Sequence, residues 1–372
     1  MAGVVRGLGW IAAVIGGVRM QINLIDEFTE ELKSGKKLVV LPISRFDIKE
    51  EFTVSKYRFF PGGAVDIISL RPIHSDVITQ GLSLREVATT ATGVTIDTFQ
   101  TNTLVAFMAD IDWEEFLSAD HNYDLKLITK LSRDVERVMD IIKFHCCRAD
   151  LIDTLPGRVG AWRDSNGFST ALIYTLEDHE SYIIAGAVET HCVIKGVGLD
   201  EVCDFDENHR KFIESRSEVS SIARLALSMN SEFLESANPT SKFVKAMTIL
   251  EFLAYPDRYE KFDEVKKQIS IHKARSIQEY ETLKERFYEL TGKRDPVTKE
   301  YIGYRTRIVH MGHYLEDVLD NNETKIKKLM LELQGYIATV INHMIENHEM
   351  TWQEFLEFRK QRRVALGLQQ GV

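Results

Sequence analysis

The sequence predicts an α+β protein in which a β-rich region is followed by a bundle of long helices. Short apolar runs rich in β-branched and aromatic residues, separated by Gly, Pro, Asn and Asp, fill the chain from Lys36 to about Asp204. From about Asp206 the apolar residues recur every three or four positions, as in amphipathic helices. A chain of 372 residues also exceeds the usual size of a single hydrophobic core. We therefore expect two main domains.

The chain divides into four segments on these patterns. Residues 1–35 form an N-terminal extension and lead-in, and residues 36–204 an α+β domain that we expect to be a sensor or regulatory unit. Residues 205–349 form the helical bundle, and residues 350–372 an amphipathic and basic tail. The apolar run within residues 1–19 is too short to span a bilayer, and Met20 opens a stretch typical of a cytosolic start. A cytoplasmic protein without a membrane segment is expected.

The β-rich region contains five predicted strands and one long helix. The helix is predicted in DLKLITKLSRDVERVMDIIKF, where six apolar residues share one face. Turns are expected at PGGAVD and RDSNGF. The predicted strands are KLVVLPI, DIISLRPI, NTLVAFMADI, STALIYTL and SYIIAGAVETHCVI.

The bundle begins with a predicted long helix over residues 206–234, which ends before Pro239. A second helix carries Phe243 and Met247, a bent or interrupted third runs from Phe262 to Leu290, and a fourth contains the stretch YRTRIVHMGH, residues 304–313. After the N-capping cluster NNET comes the most regular apolar stripe. The last basic run, RKQRR, is expected to be a solvated terminus or, less favoured, an RNA-backbone contact. Long helices joined by short loops predict a bundle.

Cysteine spacing and composition indicate neither a metal nor another cofactor. No two cysteines have the C-x-x-C spacing of a zinc ribbon, so reduced thiols are expected. A zinc site built from His145 and His191 with their neighbouring cysteines is disfavoured, because adjacent residues point in different directions. The cysteines are Cys146, Cys147, Cys192 and Cys203.

Charge is unevenly distributed along the chain, whose net charge is −10. Residues 1–257 carry 26 basic and 38 acidic side chains, whereas residues 258–372 carry 20 and 18. A polyanionic ligand is therefore expected to meet the C-terminal part.

The series AMTILEFL, HKARSI and YRTRIVHMGH, followed by a strongly apolar helix, resembles the HEPN superfamily and within it the Apea-like group. The resemblance covers roughly residues 206–347. The family signature is an arginine followed after four to six residues by a histidine, and Arg305 with His310 fits it in the context IVH. Arg307 and His313 satisfy the same loose spacing and are the second choice, and Tyr304 is a further candidate for RNA contact. Supporting residues are Glu251, Arg275 and Thr306.

The resemblance implies a metal-independent endoribonuclease that works as a homodimer, with an RNA substrate such as tRNA or mRNA. It also implies a toxin-like or anti-phage role, in which the N-terminal domain responds to an unknown trigger. RNA supplies its own nucleophile, so the protein needs a proton-transferring histidine and an arginine that stabilises charge on the phosphate. On an ideal α-helix Arg305 and His310 would lie about 140° apart, an awkward arrangement for one narrow face.

Three alternatives remain open. Thr306 and Met311 depart from the family pattern, so a non-catalytic module that dimerises or binds a nucleotide or protein is the second interpretation. The pair could also be structural, with carboxylates such as Glu251, Glu316 and Asp317 available as partners. A third interpretation places an active site around Arg158, Arg163 and Asp164 in the β-rich region.

Overall fold

The computed structural model describes residues 21–70, 92–151, 155–161, 168–177, 179–187, 207–236 and 238–368. Its N-terminal part is built on a six-stranded antiparallel sheet, and its C-terminal part is helical. The predicted α+β class is thus confirmed. Among the described residues no helix is both long and apolar enough to cross a membrane.

The sheet is centred on β1, which pairs with β4 on one side and β5 on the other. All seven residues of β1 are buried, because Val39, Leu41 and Ile43 face one apolar cluster and Leu38 and Val40 face another. The continuous run KLVVLPI is what a strand covered on both faces requires. In the sheet order β2-β3-β4-β1-β5-β6, the strands are β1 Lys37–Ile43, β2 Phe52–Val54, β3 Tyr57–Phe60, β4 Thr103–Ala109, β5 Phe168–Thr175 and β6 Glu180–Ala187.

Two features of the sheet differ from the sequence prediction. The strands β2 and β3 were not predicted, and they form a short hairpin at the edge of the sheet. The predicted strand DIISLRPI is wrong at its start, since Ile67–Leu70 form a 3-10 helix. Residues 71–73 of that run, the turn over residues 163–167 and the end of the last predicted strand lie outside the described residues.

One long helix, α5, covers a face of the sheet. It was predicted from a single apolar face, and five of the six residues of that face are buried, with Leu125 half-buried. Asp120 caps its first turn by accepting a hydrogen bond from Tyr123 N at 3.1 Å. The helices of this region are α1 Leu24–Glu27, α2 Thr29–Lys33, α3 Ile96–Thr101, α4 Trp113–Ser118 and α5 His121–Cys146.

The bundle contains the predicted helices except the fourth, and the first has one extra break. The first long helix is two helices, because Ser217 adopts an extended backbone and its hydroxyl caps Ser220 N. The predicted interruption of the third helix is confirmed at Ala274–Ser276, where Ser276 caps the next helix. The bounds are α6 Glu207–Glu214, α7 Glu218–Glu235, α8 Pro239–Ala254, α9 Phe262–Lys273, α10 Ile277–Thr291, α11 Leu315–Val318, α12 Glu323–Glu346 and α13 Trp352–Ala365.

The basic tail is a docked helix, so the expectation of a solvated RKQRR run is wrong for Arg359. Its guanidinium is 2% exposed and donates to the carbonyl oxygens of Leu253 at 2.7 Å and Ala254 at 2.8 Å. These carbonyls end α8, where the helix dipole favours a cation. Arg362 donates in the same way to carbonyls at the end of α9. The helix α13 therefore closes the ends of two bundle helices.

The sheet region and the bundle share one apolar cluster, which runs from β1 through α5 to the bundle helices. A buried charge network crosses the same joint: Lys143 on α5 contacts Glu136 at 3.3 Å and Glu235 on α7 at 2.9 Å. Arg158 contacts the other oxygen of Glu235 at 2.7 Å. The predicted boundary between residues 204 and 205 falls outside the described residues.

Candidate active site at the YRTRIVHMGH turn

The entry to YRTRIVHMGH is fixed by close backbone contact with the end of α10. The N–H groups of Ile302 and Gly303 both donate to Lys293 O, at 2.8 and 3.1 Å. A Cβ at position 303 would lie 2.7 Å from Gly292 N, so only glycine permits this approach. Farther along, Thr306 Oγ1 donates to Thr291 O at 2.7 Å. The motif is thus anchored on the last turn of α10.

The motif itself is a π-helical turn over Thr306–His310, which corrects the prediction of a fourth α-helix. Hydrogen bonds in a π-helix join residues five apart, so such residues lie nearly above one another. Arg305, with helical backbone angles, caps the turn, and His310 is its last residue. By that geometry their backbone positions lie closer to one side of the turn than on an α-helix, where a wide separation is expected.

Gly312 ends the turn with a left-handed backbone, φ +74°. The chain then reverses toward α8, where Leu315 N donates to Thr240 Oγ1 at 2.8 Å. Thr240 in turn donates to Glu316 at 2.8 Å, so Glu316 holds the exit of the motif.

Arg305 is oriented by α8 and α9. Its Nη2 lies 3.0 Å from Glu251 Oε1, and its guanidinium carbon lies 5.9 Å from the centre of the Phe262 ring. Both ends of the ion pair are partly open to solvent, 28% for Arg305 and 29% for Glu251. A guanidinium has five N–H donors, so this pair leaves donors available to an incoming phosphate.

The remaining polar residues of the motif face solvent to different degrees. His310 and His313 are exposed, and Arg307 is half-buried. His313 N donates to Arg307 O at 3.1 Å. This is a backbone hydrogen bond and involves neither side chain. Within the described residues no hydrogen bond or ion pair engages the ring of His310. Its imidazole is thus accessible to a substrate.

Tyr304 and Thr306 have packing roles. The Tyr304 ring packs against the core and lies under Arg286, with the guanidinium carbon 5.9 Å from the ring centre. Arg286 is held by Glu332 through two hydrogen bonds of 2.8 Å. Thr306 fastens the turn to α10 as described above, which explains a hydroxyl at this position.

Arg275 does not join the site. It is exposed and precedes the first turn of α10, whereas the motif contacts the last turn. Along a helix of this length the two ends are about 20 Å apart. Its backbone N–H donates to Glu279 at 2.7 Å as part of the helix start.

The other predicted candidates fall elsewhere. Arg158 belongs to the Glu235 network, while Arg163 and Asp164 lie outside the described residues. Among the residues that the structure describes, no three His, Cys, Asp or Glu side chains cluster in a way that would hold a metal. His191, Cys192 and Cys203 are outside that part of the chain.

Four supporting residues escaped sequence reasoning: Phe262, Thr240, Thr291 and Gly303. Gly303 carried a usable signal, since a glycine just before a functional stretch suggests close backbone approach. The other three act through contacts that only the folded bundle creates.

Comparison of the chain with protein-family models, with curated proteins and with solved structures found no match.

Proposed function

We propose that the protein is a metal-independent endoribonuclease whose active site is formed by Arg305 and His310. The observation that supports this proposal is the π turn, in which residues five apart lie nearly above one another, together with an arginine oriented by Glu251 and an accessible histidine. The resemblance of the motif to the HEPN superfamily supports the same assignment. It also favours a cytoplasmic, toxin-like or anti-phage role under the control of the N-terminal region.

The chemistry follows from the two residue types. The 2′-hydroxyl of RNA attacks the adjacent phosphorus, the bond to the 5′-oxygen of the next nucleotide breaks, and the products are a 2′,3′-cyclic phosphate and a free 5′-hydroxyl. His310 moves a proton to or from these oxygens. Arg305 donates to the non-bridging oxygens, where negative charge grows in the transition state.

One histidine serves poorly as base and acid in the same step, so we propose a homodimer in which two turns face one cleft. Three apolar side chains around the turn are exposed in the single chain and support an interface there: Val309 at 47%, Met311 at 49% and Tyr314 at 62%. Exposed apolar groups next to a polar site are typical of interaction surfaces.

The same surface also supports the alternative, a non-catalytic module that dimerises or binds a partner through this turn. The Arg305–Glu251 ion pair is equally compatible with it, because an arginine held in one orientation can bind an anionic partner without catalysis.

Incubation of the pure protein with total RNA in EDTA separates the two functions. We expect the wild type to leave cyclic phosphate ends and the double variant Arg305→Ala/His310→Ala to leave the RNA intact, with both proteins folded. Arg258→Ala, at an exposed arginine that pairs with Glu260 outside the motif, is the control and should retain cleavage. If the RNA stays intact with the wild type as well as with the variants, although the wild type is folded and dimeric, the binding module is favoured.

A further inference from the structure

A cavity of about 630 Å³ lies at the joint between the sheet region and the bundle. Its walls come from α5 and α7, with Arg158, Val159 and Ser169 from the sheet side. Small-molecule sites commonly have volumes of about 300–1,000 Å³ and lie where two domains meet. The cavity is separate from the Arg305 turn, none of whose residues lines it.

The inner wall offers buried polar groups. Ser132 is 8% exposed, and its hydroxyl has no hydrogen-bond partner among the described residues. Asp140 is 7% exposed and lies beside Lys143, Glu136 and Ser231. An unsatisfied buried hydroxyl is costly to a fold and is retained where something else bonds to it.

The rim carries more positive than negative side chains, since Arg133, Arg137 and Arg224 outnumber Glu232. Arg224 on α7 is half-buried, and its guanidinium donates to Ser215 O at 2.7 Å, to Phe212 O at 3.4 Å and to Ser221 Oγ at 3.1 Å. None of these acceptors is charged. Burial, and after it the positive charge of Arg137, lowers the pKa of Arg224, as expected for cations that face one another.

Arg133 and Arg137 complete the rim from α5. Both are exposed; Arg137 approaches Asp134 only to 3.8 Å, and in the described part of the chain Arg133 makes no ion pair. Glu232, which also lines the cavity, lies 3.5 Å from Lys245. The inner Arg158 contacts Glu235 at 2.7 Å. The mouth thus holds two arginines without a carboxylate partner among the described residues, Arg133 and Arg224, whereas the inner Arg158 is paired.

A second, more open cavity of about 470 Å³ continues along α5 from the same rim. Its lining includes one acidic residue, Asp134, and four basic residues at a spacing of four, three and four, which places the basic ones on one helix face: Lys126, Lys130, Arg133 and Arg137. This basic stripe stands within a part of the chain whose net charge is strongly negative. It therefore provides a local field that guides anions to the mouth.

We infer that the cavity between α5 and α7 binds a small phosphorylated molecule, with its phosphate at Arg133, Arg137 and Arg224 and its hydroxyl or amino groups at Ser132 and Asp140. Arginine forks suit phosphate oxygens, and a buried carboxylate suits the hydroxyl or amino donors of a sugar or base. Because its walls come from both regions, the ligand stabilises their joint. The site is thus placed to receive the trigger of the N-terminal region.

The binding test uses the full chain and does not depend on ribonuclease activity. Thermal unfolding and calorimetry would be measured with nucleoside mono-, di- and triphosphates, with sugar phosphates, with the matched nucleosides and sugars, and with inorganic phosphate. We expect a rise in Tm with one phosphorylated class and none with its unphosphorylated partner. The class that binds distinguishes nucleotides from sugar phosphates.

Two variants locate the site. Arg133→Gln/Arg137→Gln should weaken binding at least tenfold, whereas Arg210→Gln/Arg216→Gln, the same charge change at exposed positions off the cavity, should not. Ser132→Ala should fold at least as stably as the wild type, since it removes a buried hydroxyl that has no partner among the described residues, and should weaken binding by about five- to tenfold.

Several results would overturn the inference. They are no Tm shift with any phosphorylated probe at millimolar concentration, equal binding of unphosphorylated probes, or equal binding by the Arg133/Arg137 and control variants. If inorganic phosphate alone gave the full rise in Tm, and gave the same rise in Ser132→Ala, an inner subsite would be excluded. Binding of single-stranded RNA alone, dependent on the stripe but not on Ser132, would assign the surface to nucleic acid.

Discussion

Arg305 Nη2 lies 3.0 Å from Glu251 Oε1, so the helix α8 holds the arginine of the π turn in one orientation. Both residues are about three-tenths exposed, and exposed ion pairs contribute only about 0–1 kcal/mol to stability. The pair is therefore better suited to positioning Arg305 than to stabilising the fold.

We accordingly expect Glu251→Gln to separate positioning from folding. Under the proposed function, kcat for RNA cleavage should fall about tenfold, because Arg305 loses its fixed orientation, while KM stays level or falls as a negative charge leaves the site. The free energy of unfolding should change by less than about 1 kcal/mol. Steady-state kinetics and urea unfolding measure both quantities.

Glu281→Gln is the matched control, since Glu281 pairs with Lys284 at 2.9 Å on the surface of α10. It should leave kcat unchanged. A raised kcat in Glu251→Gln would show that the carboxylate competes with RNA for Arg305 and would reverse its assigned role.

Three glycines around the motif should respond differently to alanine. A Cβ at Gly303 meets the backbone of residues 291–293 at 2.7–2.8 Å, so Gly303→Ala should cost about 1–3 kcal/mol and displace the turn. Gly312 has open space but φ +74°, so Gly312→Ala should cost about 1 kcal/mol. Gly292 has neither constraint, and Gly292→Ala should be nearly neutral.

Urea unfolding of the three variants gives this ranking directly. Equal stability of Gly303→Ala and Gly292→Ala would contradict the close contact with the end of α10. Under the proposed function, Gly303→Ala should also lose RNA cleavage, while Gly292→Ala retains it.

The sequence predicted the parts of the fold that depend on local pattern. Runs such as KLVVLPI and the stripe of α12 were recognisable because their periods match buried strands and helices. The edge hairpin β2–β3 was missed because β2 has three residues, too few for an alternating pattern.

At the site, the sequence indicated Arg305, His310 and Glu251, but not how the turn arranges them. The 3.6-residue period of an α-helix cannot reveal a single π-helical turn, in which the hydrogen bonds join residues five apart. Arg359 was misplaced for a related reason. Its partners are carbonyls 105 and 106 residues earlier in the chain, so the first residue of a basic run that was expected to be solvated is buried.

The histidines under α13 predict a loss of stability in acid. Arg359 Nε donates to His272 Nε2 at 3.0 Å, so His272 is neutral with its proton on Nδ1, which donates to His343 Nδ1 at 2.9 Å. Burial, and then Arg362, lowers the pKa of His343 from 6.5 to about 4, and burial lowers that of His272 well below 6.5.

Between about pH 4 and pH 6.5 the unfolded chain binds more protons than the native state. The free energy of unfolding therefore rises with pH in this range, and stability decreases as the pH falls from 6.5 toward 4. His343→Gln should remove part of this slope in urea unfolding measured across the window. His310→Gln, at an exposed histidine, should keep the wild-type slope. The same slope in both variants would exclude the buried pair as its source.

Asp140 predicts a pH dependence of opposite sign. Burial raises its pKa from 3.8 to about 6, an effect that Glu136 reinforces and Lys143 and Arg158 oppose. Between about pH 4 and 6 the native state therefore binds more protons than the unfolded chain, and the free energy of unfolding falls as pH rises.

Asp140→Asn should match the wild type at pH values below 3.8, where the carboxyl is protonated in both states, and become more stable above pH 6. The difference should be on the order of 3 kcal/mol at most, because one pKa unit corresponds to about 1.4 kcal/mol. Asp134→Asn, one turn and a half earlier and more exposed, should show no such trend. Unfolding in phosphate-free buffer keeps the nearby arginine rim unoccupied during the measurement. A variant less stable than the wild type at pH 8 would mean that attraction to Lys143 outweighs the cost of burying the charge.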